Sequence, residues 1–410
     1  MLLKNYLVLF TVVVVGLFCF TGSEIQKPVD SSAFQLGNEV LINEKLELLK
    51  NKNVAVITNK TGVISNGKLL FEALINKGVN VVKIFTPEHG FDSDDNYKST
   101  GIEIPVISLY GKNKSIIDAD LEDVDVLIFD IQELGVRYYT YTSTLYLTMQ
   151  DAARNGKKFI LCDRPSISNP NYFDGFMLNQ HFSSFVGMIP TPIMYGMTIG
   201  ELGNYLKSII NNSNFDFEII KMKNYTRSTK YEELNLPWVN PSPNILSLES
   251  ARLYPSLCFM EGTNISEGRG TDTPFMYFGA PFCNSEELTF VLNSFHLDGV
   301  NFKPVKFTPY KKISSYDPKF MEEECNGVSI EITDYNKYRP VEVSIAVLYA
   351  LKNSVKQFKW IENNYIDKLA GTSKLRTMLN ESKSFKEILD SFNDEIEKYK
   401  STREKFLLYN

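Results

Sequence analysis

The sequence is poor in the residues that metal, redox and nucleic-acid chemistry need. Its three histidines, His89, His181 and His296, show no HxxH or HExxH spacing, and its five cysteines contain no CxxC pair. Zinc-site and dithiol readings lose their support, so no metal and no cofactor is expected. An excess of positive charge is also missing: 43 Lys and Arg stand against 49 Asp and Glu, a net charge of −6. Nucleic-acid binding driven by charge lacks its footprint. Neither GxGxxG after a strand nor GxxxxGK[ST] is present, which argues against dinucleotide and nucleotide binding, and no GxSxG elbow supports an esterase. A long apolar run is found only at the start, from Tyr6 to Phe20. It is shorter than the roughly 20 residues a membrane-spanning helix needs.

That run follows Lys4 and precedes Thr21, Gly22 and Ser23. This is the grammar of a signal peptide over residues 1–23, so the chain is expected to be exported to the periplasm or the extracellular space. Cys19, near the end of the run, is a candidate for lipid anchoring, against an ordinary cut after Ser23. The four remaining cysteines are too few for a disulfide-stapled scaffold.

What is abundant is core-forming material: 43% of the 410 residues are apolar and 13% aromatic. At roughly 150 residues per domain, that length predicts two domains. Short apolar runs at residues 53–58, 80–86, 125–130 and 158–163 read as buried parallel strands. Helical periodicity at residues 68–76, 116–121 and 141–155 alternates with them, and a helix at 198–210 and a strand at 217–221 follow. The pattern predicts a Rossmann-like, doubly wound, mostly parallel α/β sheet over residues 32–236. The proline-rich loop Leu236 to Asn244 marks a junction. Residues 237–410 read as a smaller α+β domain, with a helix from Ser247, a strand near Cys258–Glu261, a Gly-rich loop to Gly270, helices at 285–294, 341–353, 385–392 and 394–406, and a strand at 327–333.

Ligand crevices in open parallel sheets lie beyond the carboxyl ends of the strands. The segments there are polar: Asn59-Lys60-Thr61-Gly62, Pro87-Glu88-His89-Gly90, Asp130 with Gln132 and Glu133, and Arg164. Glu88 stands out as a carboxylate at the crevice mouth, able to act as acid, base or nucleophile, with Glu133 and Asp130 as neighbouring carboxylates. Paired carboxyl groups are what glycoside hydrolysis usually needs. Arg137, Tyr138 and Tyr141 add a cation and aromatic faces suited to a sugar bearing a carboxylate. A second dense cluster holds Glu261, Asn264, Glu267 and Arg269 among glycines. Asp92, Asp94, Asn96 and Glu103 follow a calcium-loop count, but Tyr97 stands where that loop needs glycine.

Nine segments in order carry a resemblance: TNKTGV (58–63), FTPEHGF (85–91), PVISLYG (105–111), FDIQELGVRYYTY (129–141), DRP (163–165), YGMTIGEL (195–202), LPWVNPSPN (236–244), EGTNISEGRGT (261–271) and GAPF (279–282). With the terminal KFLLY they resemble the exo-acting β-N-acetylmuramidases, over about residue 37 to the C-terminus. The resemblance implies a Rossmann-like catalytic domain, an auxiliary α+β domain and a cleft between them. It implies release of N-acetylmuramic acid from the non-reducing end of peptidoglycan fragments by cleavage of the β-1,4 bond to N-acetylglucosamine. The glutamate of PEHG, Glu88, would be the catalytic carboxylate, and Arg137, Tyr138, Asn264, Glu267 and Arg269 would line the sugar site; Glu133, from the loop after the third strand, is the second catalytic candidate that the residues themselves offer. Asn59, His89, Asp130, Gln132, Tyr141, Arg164, Asn244 and Glu261 complete the candidate set. The sequence departs from the family pattern at Phe91 to Asn96, and at Glu133, where aspartate is common. The rival readings are an exported muropeptide-binding protein without catalysis, and a hydrolase of another bond.

Overall fold

A computed structural model describes residues 34–91, 104–312 and 317–410. The signal segment with Cys19, the calcium-like count and the departure after Phe91 lie outside the described residues.

Six parallel strands form the central sheet: β1 Asn53–Thr58, β2 Asn80–Thr86, β3 Val106–Ser108, β4 Val126–Asp130, β5 Lys158–Cys162 and, after a two-residue antiparallel pair β6 (Phe173–Asp174) and β7 (Met194–Tyr195), β8 Phe217–Ile220. Their order is β3-β2-β1-β4-β5-β8, which reverses direction between β1 and β4. Both faces are buried, so the strands read as unbroken apolar runs, and alternate residues enter opposite cores. Val54 and Val56 pack with helices α1 (Gly37–Glu44) and α2 (Leu70–Asn76). Ala55 and Ile57 join the other core, under α3 (Tyr141–Arg154) and α4 (Ile199–Ile210). Helix α4 starts on a capping box, Thr198 with Glu201, which satisfies two of its orphan amides.

The second half supplies α5 (Leu248–Leu257), then the antiparallel strands β9 (Tyr277–Ala280), β10 (Val300–Phe307) and β11 (Cys325–Ile332) in the order β10-β11-β9, with α6 (Ser285–Asn293) between β9 and β10. Helices α7 (Pro340–Ser354), α8 (Tyr365–Ala370), α9 (Lys374–Asn380), α10 (Phe385–Asp390) and α11 (Asn393–Arg403) follow. The larger core runs without a break from the α3 face of the sheet through α5, β9, β11 and α7. Residues 34–410 accordingly pack as one unit.

Two expected elements take another form. Cys258–Glu261, expected as a strand, is a 3-10 turn over Cys258–Gly262 that continues directly from α5. The helix expected at 116–121 is a single 3-10 turn, Asp118–Leu121. The last residues fold back on the sheet: the Tyr409 hydroxyl donates to Asp163 Oδ2 at 2.6 Å, and the Leu408 amide donates to Glu201 Oε1 at 2.9 Å. Cys162, Cys258, Cys283 and Cys325 are buried free thiols.

Candidate active site

Glu88 follows β2 in a tight turn closed by the Gly90 amide on the Pro87 carbonyl at 3.1 Å. The turn requires His89 at φ 69°, a left-handed conformation that costs a non-glycine residue about 1–3 kcal/mol and persists where surrounding structure imposes it. This geometry leaves the Glu88 side chain 18% exposed, with His89 Nε2 4.0 Å from Oε1. Thr140 Oγ1 donates to Glu88 Oε2 at 2.8 Å. The Tyr110 hydroxyl is also bonded to Glu88, and burial, followed by the Glu88 charge, pushes the Tyr110 phenol up to about 12. Tyr110 therefore stays protonated and serves Glu88 as a donor.

Beside Glu88 stands a wall of buried aromatics. Tyr141 donates its hydroxyl to the Pro241 carbonyl, and Tyr139 meets its ring edge-on at 4.7 Å. Burial raises both phenols above their ordinary range. Asn59 is sealed behind them, its Oδ1 held by Thr61 at 2.6 and 2.9 Å. Its Nδ2 has no hydrogen-bond partner. Gly62 closes this loop because a Cβ there would stand 2.0 Å from Thr58 Oγ1.

Glu133 lies deeper, 5% exposed. Its Oε2 accepts from the Gly135 amide and the Tyr195 hydroxyl, while Oε1 is buried without a partner. Desolvation pushes its carboxyl up to about 7, against the pull of those donors.

Asp130, Gln132 and Arg164 are engaged with one another's surroundings. Arg164 grips both Asp130 oxygens at 2.6 and 2.9 Å and the Val63 carbonyl at 2.9 Å, and Asn38 adds a bond to Asp130 at 2.9 Å. Gln132 Nε2 donates to the Glu133 and Pro165 carbonyls. These residues brace the switch point between β1 and β4.

Arg137 and Tyr138 point away from the crevice. The Arg137 side chain is fully buried, and it donates to the carbonyls of Phe176, Thr191, Leu369 and Ala370. Burial lowers its pKa to about 9. Tyr138 donates to the Pro255 carbonyl at 2.5 Å and packs on Tyr254 and Phe259. Asn264 spends its side chain on the Gln357 carbonyl and the Lys359 amide, both at 2.8 Å. Asn244 is half-buried in the proline-rich loop.

The remaining cluster is an ion network. Arg269 reaches Glu261 Oε1 at 2.8 Å and Glu267 Oε1 at 3.2 Å, and it lies 4.9 Å over the Phe275 ring. Lys319 clamps Glu267 Oε2 at 3.0 Å and the carbonyls of Met260 and Ile265. Despite the desolvation of a buried carboxyl, Lys319 and Arg269 hold Glu267 down at about 2. Glu261, Arg269, Lys319, Ile361 and Tyr365 line a cavity of about 320 Å³. The Tyr365 phenol is raised chiefly by burial and then by the charges of Glu261 and, less strongly, Glu88. Tyr365 thus belongs to the wall of the cavity that Glu261 and Arg269 line. A larger cavity of about 550 Å³, lined by residues 46–47, 49–53 and 77–80, sits at the amino ends of β1 and β2, away from these groups.

Thr140, Tyr110, Lys319 and Tyr365 were not singled out from the sequence. Thr140 and Tyr110 sit inside recognised segments, but Lys319 and Tyr365 reach the site from positions with no motif. Among the described residues no group of three or more His, Cys, Asp or Glu is placed to hold a metal ion, and no helix is long and apolar enough to cross a membrane.

The carboxyl edge of the parallel α/β sheet thus presents a braced, part-exposed glutamate against aromatic walls, at the place where open α/β sheets bind their ligands. Residues 54–249 match the family model for the N-terminal part of exo-beta-N-acetylmuramidase NamZ, and residues 252–409 match the model for its C-terminal part. The chain belongs to this family of glycosidases. It is 36% identical over 384 residues, 92% of this chain and 91% of the other, to the peptidoglycan beta-N-acetylmuramidase NamZ of Bacillus subtilis strain 168. Two crystal structures of DUF1343 family proteins from Bacteroides fragilis share the fold, at TM-scores of 0.85 and 0.73 with 30% and 32% identity. Each comparison covers 92% of this chain and 99% of the other.

Proposed function

We propose that the chain is an exo-acting glycoside hydrolase that releases N-acetylmuramic acid from the non-reducing end of peptidoglycan fragments, with Glu88 as catalytic carboxylate. The observation that carries the role of Glu88 is its setting: part exposed at the strand edge, with Thr140 and Tyr110 donating to it. Two hydroxyl donors fix the carboxylate orientation while leaving it accessible to a sugar, which is what a group acting at the anomeric carbon needs. Family membership supports the β-1,4 bond to N-acetylglucosamine as the bond cleaved. The Lys4 to Ser23 signal grammar supports an exported enzyme, consistent with a substrate that lies outside the cytoplasm.

The test is incubation of residues 24–410 with the disaccharide of N-acetylmuramic acid β-1,4-linked to N-acetylglucosamine, read by mass spectrometry. Wild type is expected to release both sugars, and Glu88→Gln to lose at least about a hundredfold in rate with an unchanged melting curve. Binding without release would make the chain a saccharide-binding protein instead.

A further inference from the structure

The three arginines that the sequence suggests for the crevice are already engaged: Arg137 on four carbonyls, Arg164 on Asp130, and Arg269 on Glu261 and Glu267. Another cation is connected to the Glu88 turn through the loop after β3. The parallel register pairs Thr86 with Ser108, and the Leu109 amide donates to the Thr86 carbonyl at 2.7 Å, so Tyr110 stands next to Glu88 across the ends of β2 and β3. Its hydroxyl is bonded to Glu88 while the residue is 47% exposed, which leaves an aromatic face open at the crevice edge. The Phe185 ring lies 6.5 Å from it, tilted by 41°, and Lys114 Nζ sits 4.4 Å over the Phe185 centroid. Both supports are fixed. Phe185 is at the tip of a two-residue hairpin that Ser184 and Gly187 close with a pair of backbone bonds at 2.9 Å. The loop carrying Lys114 is pinned again at Ile116, whose amide donates to Asp151 Oδ2 at 2.7 Å. Asp118, the nearest acid along the chain, is held by Arg154 at 2.9 Å, and among the described residues no carboxylate pairs with Lys114.

We propose that Lys114, oriented by the Phe185 ring, captures a carboxylate of the peptidoglycan fragment whose sugar lies against Tyr110 and Glu88. The proposal rests on the exo-muramidase reading above. N-acetylmuramic acid differs from N-acetylglucosamine by a lactyl ether on C3, which ends either in a free carboxylate or in an amide to a stem peptide with a carboxylate of its own. With the anomeric carbon at Glu88, C3 and its lactyl arm lie across the sugar ring. The cation that reads the arm must therefore stand away from the catalytic carboxylate, on the same crevice edge. Lys114 meets that requirement, because two neighbouring rings, Tyr110 and Phe185, connect it to Glu88. A compact ammonium on a flexible stem can follow either carboxylate, where the planar fork of an arginine demands one geometry. Phe185 is a positioning residue: the cation–π contact holds the ammonium over the ring without neutralising it, so its charge stays available to an anion.

Three forms of the disaccharide separate the sources of the carboxylate: the lactyl acid free, the lactyl group as a neutral amide, and the lactyl group amidated by L-alanine. Wild type, Lys114→Met, Lys114→Arg, Phe185→Leu and Phe185→Tyr are compared on each by kcat and KM. Lys114→Met keeps the stem and removes the charge. It is expected to raise KM about five- to fiftyfold on a substrate bearing the recognised carboxylate, with kcat within about twofold, and to match wild type within about twofold on the neutral amide. Lys114→Arg keeps the charge and most of the affinity. Phe185→Leu is expected to show a smaller rise with the same dependence, and Phe185→Tyr to reverse it; a packing role alone would not follow the charge of the substrate. A rise on the free acid assigns the lactyl carboxylate, a rise on the alanyl substrate alone assigns the stem peptide, and either supports Lys114. An equal rise on all three substrates, a fall in kcat alone, or no change overturns the proposal. So does a carboxylate-dependent rise in Lys60→Met in place of Lys114→Met, Lys60 being the cation of the loop after β1. Wild type inert on all three substrates would remove the exo-muramidase reading itself, a result distinct from any of these.

Discussion

Thr140 Oγ1 donates to Glu88 Oε2 at 2.8 Å, so the residue immediately before α3 orients the carboxylate that follows β2. The bond joins, at the carboxyl edge, the loops that follow β2 and β4, the two strands flanking β1. A hydrogen bond to a charged group contributes about 1.5–3 kcal/mol, which converts to roughly 10–150-fold if it is made fully only in the reacting geometry.

Thr140→Val, which keeps the branched shape and removes the donor, is therefore expected to lower kcat by that factor with little change in KM. Thr140→Ser restores the hydroxyl and should recover most of the rate. Steady-state kinetics on the disaccharide separate this from a packing effect, which Ser would not rescue.

Glu133 gives a stability signature instead. Its carboxyl titrates near 7 in the folded chain, against an ordinary 4.5, because burial penalises the charge. Between those values the native state binds more protons than the unfolded chain, so stability falls as pH rises from about 4.5 through 7. The contribution approaches about 3 kcal/mol when complete. Glu133→Gln is neutral at every pH and keeps an oxygen for Tyr195. It is expected to melt like wild type near pH 4.5 and to be more stable above pH 7.5, as thermal unfolding across that range will show.

The sheet was legible in the sequence because buried parallel strands cannot carry polar breaks. NVAVIT and VLIFD announce themselves, and the polar residues after them announce the crevice edge. Val106–Ser108 was missed because an edge strand of three half-buried residues has no such run. Residues 300–307 were passed over with Pro304 in their middle, yet β10 is an edge strand, where a missing amide costs no ladder bond. Gly37–Glu44 starts on Leu36, which supplies none of the usual capping side chains. In the site, Glu88 follows from strand order alone. Its donors Thr140 and Tyr110 are long-range contacts that no local spacing encodes.

Arg137 shows the opposite error, and it yields the last prediction. Proximity in sequence to Glu133 suggested a guanidinium aimed at the sugar carboxylate, but the side chain turns inward to four carbonyls, two before α4 and two ending α8. A planar fork can satisfy acceptors on three separate segments at once, and a lysine cannot. Replacing it strands buried carbonyls, each costing about 1–3 kcal/mol. Arg137→Lys is accordingly expected to lower stability by several kcal/mol, or to prevent folding, while any folded fraction keeps the KM of wild type for the disaccharide. Urea melts and KM measured on the same preparation decide the matter. A stable variant with a raised KM would return Arg137 to the sugar site, since only a ligand-facing guanidinium can be lost without disturbing the junction between α8 and the sheet.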